Sequence, residues 1–324
     1  MAQLTYRQAV ARGIAQEMER DPTVVLIGED VAKAGGVFKT TEGLYDRFGA
    51  HRVRDTPISE EAIAGMVMGA AMNGMRPIGE LMFSDFFATC WDIVANQIAK
   101  TRYMTGGQVR LPLVIRTANG GGARFGGQHS QSVENWAMAV PGLKVVAPST
   151  PHDVVGLMAA AIRDPDPVMF FEHKALFATK GEVPDGEIVG TLGSAHLALE
   201  GKDVTIVGLA ATVPTALQAA ERLATEGVSA EVLDLRSLVP LDVAAIVRSV
   251  AGTGLLVTVE ENPRLCGWGA EVASIVAEEC FWDLDGPITR VTTPHIPLPA
   301  ADALEDLAIP SADRVAQAVR IQMG

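Results

Sequence analysis

Two adjacent carboxylates, Glu60 and Glu61, follow the turn-forming segment DTPIS at residues 55–59 and precede a run of small and apolar residues. Ser59 is a typical helix N-cap, and acidic residues are favoured in the first turn of a helix. Capping alone therefore explains both glutamates. A carboxylate can also perform acid–base chemistry here, provided that it is sheltered from water and can hold a proton near neutral pH.

A second candidate for proton transfer is His129, which follows the glycine loop NGGGARFGG at residues 119–127. Most single histidines are structural, although imidazole exchanges protons near neutral pH. Phe125 replaces the third glycine of a GxGxxG fingerprint, and Gln128 and His129 occupy the lysine and Ser/Thr positions of a Walker loop. No HExxH, GxSxG or metal-spaced Cys/His cluster occurs. The common nucleotide-binding and hydrolase functions therefore lack support.

The overall charge limits the possible partners. The 324 residues carry a formal net charge of −13, without a long block of lysine or arginine. Nucleic acids and anionic membrane surfaces require concentrated positive charge, so neither is an expected partner.

Cys90, Cys266 and Cys280 lie far apart and are predicted to be reduced thiols. The charged N-terminus does not resemble a signal peptide, and we expect a cytoplasmic protein.

The spacing of apolar residues predicts alternating strands and helices, which is typical of a parallel α/β architecture. Predicted strands include residues 23–30, 76–83 and 111–117, and predicted helices include residues 59–75 and 84–104, the second capped by Ser84. One face of the first helix is predicted to consist of Ile63, Met66, Val67, Ala70, Ala71 and Gly74.

Two glycines on that helix, Gly65 and Gly69, indicate close packing against another helix or another chain, because each helical glycine costs about 1 kcal/mol relative to alanine. Further along, residues 174–203 lose periodicity and gain glycine and charge. We therefore predict a domain boundary in this region, with domains at residues 1–187 and 188–324. A last helix is predicted from about Ser311.

Several segments together resemble the β-subunit of thiamine-diphosphate-dependent 2-oxo acid dehydrogenases, the decarboxylating first component of the pyruvate, branched-chain and acetoin dehydrogenase complexes. The segments are VLIGEDV, RVRDTPISE, GELMFSDF, GGQHSQS, PGLKVVAPSTPHDVVGL, DPDPVMFFEHK and EVLDLRSLVPLD. They follow the family's order over nearly the whole chain, and DTPISE and HSQS are specific. The resemblance implies a pyrimidine-binding α/β domain with a parallel sheet, followed by a transketolase-type C-terminal α/β domain.

The resemblance implies a role for Glu60 that capping does not. In the family the matching glutamate hydrogen-bonds N1′ of the cofactor's aminopyrimidine and favours the tautomer that activates the thiazolium ring. Phe86 matches the aromatic residue that stacks on the pyrimidine, and Ile58 and Glu29 match positions that line the cofactor. Met82 stands where some relatives carry a polar contact to the ring.

The resemblance also implies roles outside the pyrimidine site. His129 matches a histidine that faces the active site and assists acyl transfer to the lipoyl group. The turn RDPDP at residues 163–167 matches a segment that holds a potassium ion in relatives, and hard cations prefer oxygen ligands. The implied potassium ligands are side chains or carbonyls at Leu113, Ala161, Ile162, Asp164 and Asp166.

The GDG…N segment that holds the cofactor's diphosphate through Mg²⁺ is missing from this chain. The family therefore implies an α-subunit that supplies Mg²⁺ and shares thiamine diphosphate in an α/β heterotetramer, with a lipoyl acyltransferase as a further partner. Pyruvate, a branched 2-oxo acid and acetoin all remain possible substrates. Two alternatives stay open: the C-terminal half of a split transketolase, and a non-catalytic scaffold subunit of the same fold.

Overall fold

The computed structural model describes residues 1–324. The chain divides into two compact units, and each is discontinuous in sequence. The first unit contains Met1–Asn119 and Trp136–Leu192, and the second contains Gly120–Asn135 and Gly193–Gly324. The predicted ranges 1–187 and 188–324 thus differ from these units in the placement of residues 120–135 and of residues 188–192.

The first unit is an α/β unit built on parallel strands. Its strands are β1 (Ala2–Thr5), β2 (Val24–Gly28), β3 (Val53–Asp55), β4 (Arg76–Phe83), β5 (Val114–Asn119), β6 (Lys144–Val146), β7 (Val168–His173) and β8 (Lys180–Val183). Six of them form a parallel sheet in the order β6-β7-β5-β4-β2-β3, while β1 and β8 pair antiparallel. All residues of β2, β5 and β7 are buried, as expected for central parallel strands covered on both faces.

The first α-helices along the chain are α1 (Tyr6–Arg20), α2 (Leu44–Phe48), α3 (Glu60–Met72), α4 (Ala99–Met104), α5 (Glu134–Met138) and α6 (Pro151–Arg163). Hydroxyl caps begin several of them. Thr5 and Gln8 form a capping box at α1, and Thr150 accepts a hydrogen bond from the amide of Asp153 at α6. These caps satisfy backbone amides that the helix itself leaves unpaired.

Residues 84–104 are helical throughout but are not the single α-helix that we predicted. Ser84–Cys90 forms a 3₁₀ helix, Ile93–Ile98 a π-helical segment, and Ala99–Met104 the α-helix α4. The N-cap position belongs to Phe83, so the prediction that Ser84 caps this helix is wrong. Apolar periodicity cannot distinguish these windings, because each of them brings a buried residue inward every three to five positions.

A buried ion cluster joins three adjacent strands, β4, β5 and β7. Arg116 donates to both carboxylate oxygens of Glu172 at 2.6 Å and also pairs with Glu80. The side chains of all three residues are almost completely shielded from water. Because charges at such depth are stable only when paired, the guanidinium holds the two carboxylates in the core.

The second unit contains a five-stranded sheet in the order β14-β13-β10-β11-β9, in which only the edge strand β9 is antiparallel. Its strands are β9 (His196–Leu199), β10 (Val204–Gly208), β11 (Ala230–Asp234), β12 (Ser237–Val239), β13 (Leu256–Pro263) and β14 (Thr289–Thr293). Its helices are α7 (Thr212–Ala224), α8 (Val243–Thr253), α9 (Gly269–Glu279), α10 (Asp302–Ala308) and α11 (Ala312–Met323).

The predicted last helix is confirmed, since Ser311 caps α11. Valine, isoleucine, leucine and alanine side chains from β10, β11, β13, α7 and α11 form one buried core in this unit. The prediction of an α/β fold is therefore confirmed. None of the helices in the chain has the length and apolar character needed to cross a bilayer.

Candidate functional site

Glu60 is the first residue of α3, and its side chain is half-buried. Ser59 precedes it in an extended conformation, and its hydroxyl accepts a hydrogen bond of 3.3 Å from the amide of Ala62. The capping role is therefore performed by Ser59. Glu60 instead directs its carboxylate toward Thr89 of the 3₁₀ segment, while Glu61 is exposed.

Thr89 connects two of the predicted cofactor residues. Its hydroxyl oxygen lies 3.2 Å from Oε2 of Glu60 and 2.8 Å from the carbonyl oxygen of Phe86. The 3₁₀ winding of residues 84–90 produces this contact, because three residues complete one turn and place Phe86 and Thr89 above one another. Thr89 thus links the carboxylate of Glu60, on α3, to the short segment that carries the Phe86 side chain.

Glu29 follows β2 directly and lies close to the same carboxylate. Burial raises the pKa of Glu29, and the negative charges of Glu60 and Asp30 raise it further. The backbone before it is tightly packed, since a Cβ on Gly28 would lie 2.9 Å from side-chain atoms of Glu80 and Val31. The structure therefore brings Glu29 and Glu60 together as a pair of interacting carboxylates.

An aromatic cluster supports Phe86. Its ring lies 5.6 Å from the ring of Phe83 in an edge-to-face arrangement, and Phe83 in turn contacts Phe38 at 5.4 Å. The ammonium group of Lys174 lies 5.5 Å from the centre of the Phe83 ring. Edge-to-face packing restricts ring rotation, so the half-buried Phe86 is held in one orientation.

Two other predicted cofactor residues occupy different surroundings. Met82 is half-buried on β4, whereas the side chain of Ile58 is 83% exposed in this chain. Met66 and Met72 of α3 are also exposed, at 46% and 50%. The predicted apolar face of α3 is therefore only partly correct. Ile63, Val67 and Ala71 are buried and Ala70 is half-buried, but Met66 faces outward and Gly74 lies beyond the helix.

The glycines of α3 have open space on their outer side. A Cβ on Gly65 would meet only Ile93 at 3.6 Å, and a Cβ on Gly69 would meet nothing within 4 Å. No close packing within this chain explains Gly69. Together with the exposed apolar side chains of Ile58, Met66 and Met72, it leaves a surface that another polypeptide can cover.

The predicted potassium ligands already have partners. The carboxylate of Asp164 accepts from Lys144 at 2.5 Å, and that of Asp166 pairs with Arg102. The side chain of Arg76 donates to the carbonyl oxygens of Ile162 and Asp164, at 2.7 and 3.3 Å. Coordination through the carboxylates would require these ion pairs to break.

The carbonyl oxygens of Leu113 and Ala161 accept backbone hydrogen bonds from Val168 and Asp164. Each carbonyl oxygen has two lone pairs, so backbone coordination remains chemically feasible. Nowhere in the chain do three or more His, Cys, Asp or Glu side chains form a group suited to a metal ion.

His129 belongs to the second unit, and the glycine loop that precedes it is held by hydrogen bonds and an ion pair. The imidazole is half-buried, and its backbone amide donates to the carbonyl of Gly126 at 3.2 Å. Arg124, Glu261 and Glu305 anchor the loop, and the sequence analysis missed all three. An arginine inside a run of glycines was the one available signal, because Glu261 and Glu305 lie in segments without a recognisable motif.

An open cavity of the first unit, about 800 Å³ in volume, is lined by none of these residues. It lies along α1 and is lined by charged side chains such as Arg12, Glu19 and Arg47. Cavity size is therefore a weaker guide here than the convergence of Glu29, Glu60, Thr89 and Phe86.

Comparison with known proteins identifies the family. Residues 2–180 match the transketolase pyrimidine-binding domain, and residues 193–315 match the transketolase C-terminal domain. The β-subunit of acetoin:2,6-dichlorophenolindophenol oxidoreductase from Cupriavidus necator is 46% identical, covering 99% of this chain and 97% of the relative. The chain belongs to the β-subunits of thiamine-diphosphate-dependent 2-oxo acid and acetoin dehydrogenases.

Other members of this β-subunit family show nearly the same similarity. The 2-oxoisovalerate dehydrogenase β-subunit of Bacillus subtilis is 45% identical over 99% of this chain and 98% of the relative. A mitochondrial pyruvate dehydrogenase E1 β-subunit of Oryza sativa is 44% identical over 98% and 86%. A solved split-gene transketolase, described as an inactive β4 tetramer, matches 99% of this chain and 98% of its own, with a TM-score of 0.80 and 26% identity.

Proposed function

We propose that this chain pairs with an α-subunit to form a 2-oxo acid or acetoin dehydrogenase component, in which Glu60 exchanges a proton with the cofactor's aminopyrimidine. The observation that carries this proposal is the contact between Glu60 and Thr89, which links a half-buried carboxylate to the backbone of Phe86. Bound thiamine diphosphate would supply a nucleophilic thiazolium carbon and accept the electron pair left when CO₂ departs from a 2-oxo acid or acetaldehyde departs from acetoin.

The residues present fit the pyrimidine half of that cofactor. Glu60 provides a carboxylate for a ring nitrogen, and Phe86 provides an aromatic surface for stacking. Glu29 adds a second carboxylate, which retains a proton more readily because its pKa is raised. In this arrangement Glu60 binds and exchanges the proton, Glu29 disfavours a second negative charge nearby, and Phe86 orients the ring.

The diphosphate and Mg²⁺ are assigned to the α-subunit, since this chain contains no group of acidic or histidine side chains suited to the metal. The exposed surface of Ile58, Met66, Met72 and Gly69 supports a partner of this kind, in an α/β heterotetramer.

A potassium ion on the carbonyls of Leu113, Ala161, Ile162 and Asp164, with Asp166 beside them, belongs to the same proposal. Three free cysteines suit the reducing cytoplasm as the location.

We assign acyl transfer to His129. The S–S bond of a lipoyl group breaks, one sulfur forms the C–S bond of the thioester, and the other sulfur takes a proton. The two electrons that remain after loss of CO₂ from a 2-oxo acid, or of acetaldehyde from acetoin, reduce the disulfide, and the acyl carbon is oxidised. His129 is the proposed donor of the proton, which makes a lipoyl acyltransferase the second partner.

The relatives named above act on acetoin, 2-oxoisovalerate and pyruvate, and their identities to this chain are nearly equal. We therefore propose the substrate class, a 2-oxo acid or acetoin. A turnover screen of the three compounds with the reconstituted component would identify the preferred one.

The test compares Glu60→Gln with Glu61→Gln in the component reconstituted with its α-subunit. Proton-transfer residues typically contribute about 10²–10⁴-fold, so Glu60→Gln should reduce dye-linked turnover by at least about 100-fold. The matched change in the exposed neighbour Glu61 should leave it within about twofold. Unchanged turnover in Glu60→Gln would instead favour a scaffold subunit, and ketose transfer by the wild type would favour a split transketolase.

A further inference from the structure

The glycine loop that carries His129 is anchored on both sides of the histidine by the second unit. On the N-terminal side, the carboxylate of Glu305 accepts hydrogen bonds from the amides of Gly122 and Arg124, at 3.1 and 3.2 Å. The same carboxylate pairs with the guanidinium of Arg124 at 2.7 Å. Because Glu305 is completely buried, these hydrogen bonds replace the ones that its carboxylate would make with water.

Arg124 adopts a backbone conformation that an L-residue normally avoids. Its φ is +66°, in the left-handed region where glycine is favoured, although the surrounding sequence is rich in glycine. Its guanidinium also reaches Asp306 at 2.6 Å and Asp302 at 3.3 Å. Backbone strain of this kind persists where other contacts enforce it, and here those contacts are made by the side chain.

On the C-terminal side of His129, the loop is held at the carboxyl end of β13. Glu261 accepts a hydrogen bond from the hydroxyl of Ser132 at 3.1 Å, and it also reaches the N-terminal side of the loop, where the amide of Gly121 donates to it at 3.3 Å. The side-chain amide of Asn262 donates to the carbonyl of Ser132 at 2.8 Å. The carboxyl ends of strands are where open α/β sheets hold ligands, and in this unit the end of β13 holds the loop.

The loop glycines are seated closely on the same unit. A Cβ on Gly121 would lie 2.9 Å from Leu298, and one on Gly127 would lie 3.3 Å from Pro297. Glycine at these positions therefore permits close approach rather than free movement. Pro297, Leu298 and Ala300 form the surface on which these loop glycines pack.

We propose that Glu305, through Arg124, and Glu261, through Ser132, are positioning residues that hold His129 in place for acyl transfer to the lipoyl group. This inference rests on the proposed role of His129. The anchors act on the loop backbone, so the effect of breaking them is a displaced imidazole rather than a lost catalytic group. Displacement of a catalytic group by about 1 Å can cost about 10²-fold in rate.

The test uses the complete reconstituted complex and two assays, reduction of 2,6-dichlorophenolindophenol and acylation of the free lipoyl domain. Arg124→Gly removes the anchor and also relieves the left-handed strain, so the variant should fold. We expect kcat for lipoyl acylation to fall at least about tenfold more than dye reduction, with the KM for the lipoyl domain nearly constant. Arg124→Lys retains a positive charge and should recover part of the loss.

Arg222→Ala is the matched control, because Arg222 forms an ion pair with Asp313 in the same unit, far along the chain from the loop. It should leave the ratio of the two activities unchanged. Equal loss of both activities in Arg124→Gly, or no loss in either, would overturn the positioning role. A loss expressed only in KM would do the same, since it would indicate a docking contact.

Two further measurements separate this inference from the proposed function. Hydrogen exchange of residues 120–132 should become at least about tenfold faster in Glu305→Gln and Arg124→Gly, and unchanged exchange would overturn the anchoring. In a His129→Ala background, the additional change Arg124→Gly should have no further effect on lipoyl acylation. If His129→Ala acylates the lipoyl domain normally while Arg124→Gly remains defective, the role of His129 is wrong and the loop anchors act on another group.

Discussion

The hydroxyl of Thr89 faces two acceptors, the carboxylate of Glu60 at 3.2 Å and the carbonyl of Phe86 at 2.8 Å. A hydroxyl has one hydrogen to donate and two lone pairs. The Thr89 hydroxyl donates to both oxygens, with the shorter contact to Phe86 and the longer one to Glu60. One hydroxyl therefore links the carboxylate of Glu60 on α3 to the 3₁₀ segment that carries Phe86.

Replacement of Thr89 tests this contact. Thr89→Val removes the hydroxyl but keeps a branched side chain, and the lost hydrogen bond corresponds to about 1 kcal/mol, or about fivefold in kcat. Thr89→Ser keeps the hydroxyl and should stay within about twofold. The measurement is dye-linked turnover of the reconstituted component. Equal effects of the two substitutions would show that methyl packing, and not the hydroxyl, is what matters.

Glu29 should make stability depend on pH in a defined direction. Burial and the charge of Glu60 raise its pKa, so the folded chain binds the Glu29 proton more tightly than the unfolded chain does. The stabilisation that results is complete below the ordinary pKa of glutamate and is lost as the pH rises through the higher folded pKa. Glu29→Gln, which mimics the protonated acid, should therefore raise the melting temperature at about pH 8 and lose this advantage at about pH 4.

The size of the Glu29 effect is limited by partial exposure, and we expect about 0.5 kcal/mol or less. The gain should shrink further in a Glu60→Gln background, because one of the two repelling charges is then absent. Thermal unfolding of the four variants between these pH values gives the answer. A gain that does not change with pH, or that is the same in both backgrounds, would rule out the carboxylate pair as its cause.

Gly69 should matter for assembly and not for folding. The space around it is open, so Gly69→Leu should fold at least as well as the wild type, with up to about 1 kcal/mol gained from helix propensity. If another chain packs on this face, the new side chain should block association with the α-subunit. Gly252→Leu is the matched control, because Gly252 is also helical and also has no neighbour within 4 Å.

Analytical ultracentrifugation of the coexpressed subunits measures the Gly69 outcome. We expect Gly252→Leu to assemble normally and Gly69→Leu to remain separate from its partner. Normal assembly of both variants would place the subunit interface elsewhere.

Arg116 should be essential for stability. Arg116→Met leaves Glu80 and Glu172 buried without their cation, and breaking a buried pair in this way typically costs about 3–5 kcal/mol. Arg222→Met removes an exposed ion pair and should cost no more than about 0.5 kcal/mol. Urea unfolding of the two variants measures the difference. Similar costs would mean that the buried cluster relaxes by protonation or by water entry.

The local order of the fold follows from the sequence. Apolar runs such as residues 23–30 and 76–83 predict buried strands, and β2 and β4 lie within those ranges. Ser59 and Ser311 predict two helix starts, because capping depends on neighbouring residues alone. Glu60, Phe86 and His129 are also identifiable from motifs, although their roles come from resemblance and stay predictions until the variants above are measured.

Other features depend on distant contacts and could not be predicted. The three windings of residues 84–104 share one apolar period, so only packing against the sheet selects among them. Asp164 and Asp166 form a turn before proline in the sequence, but their ion pairs with Lys144 and Arg102 arise from the fold. Met66 fits the apolar face of α3 by spacing and nevertheless lies at the surface.

The sequence by itself determined the α/β alternation, the helix caps and the chemical groups available for proton transfer, because each depends on residues within a few positions of one another. The tertiary structure alone decided which of those groups meet. Arg124 and Glu305 are 181 positions apart, and no local periodicity can encode a contact across that distance. Their pairing follows from the packing of the second unit, which brings the loop of His129 and helix α10 together.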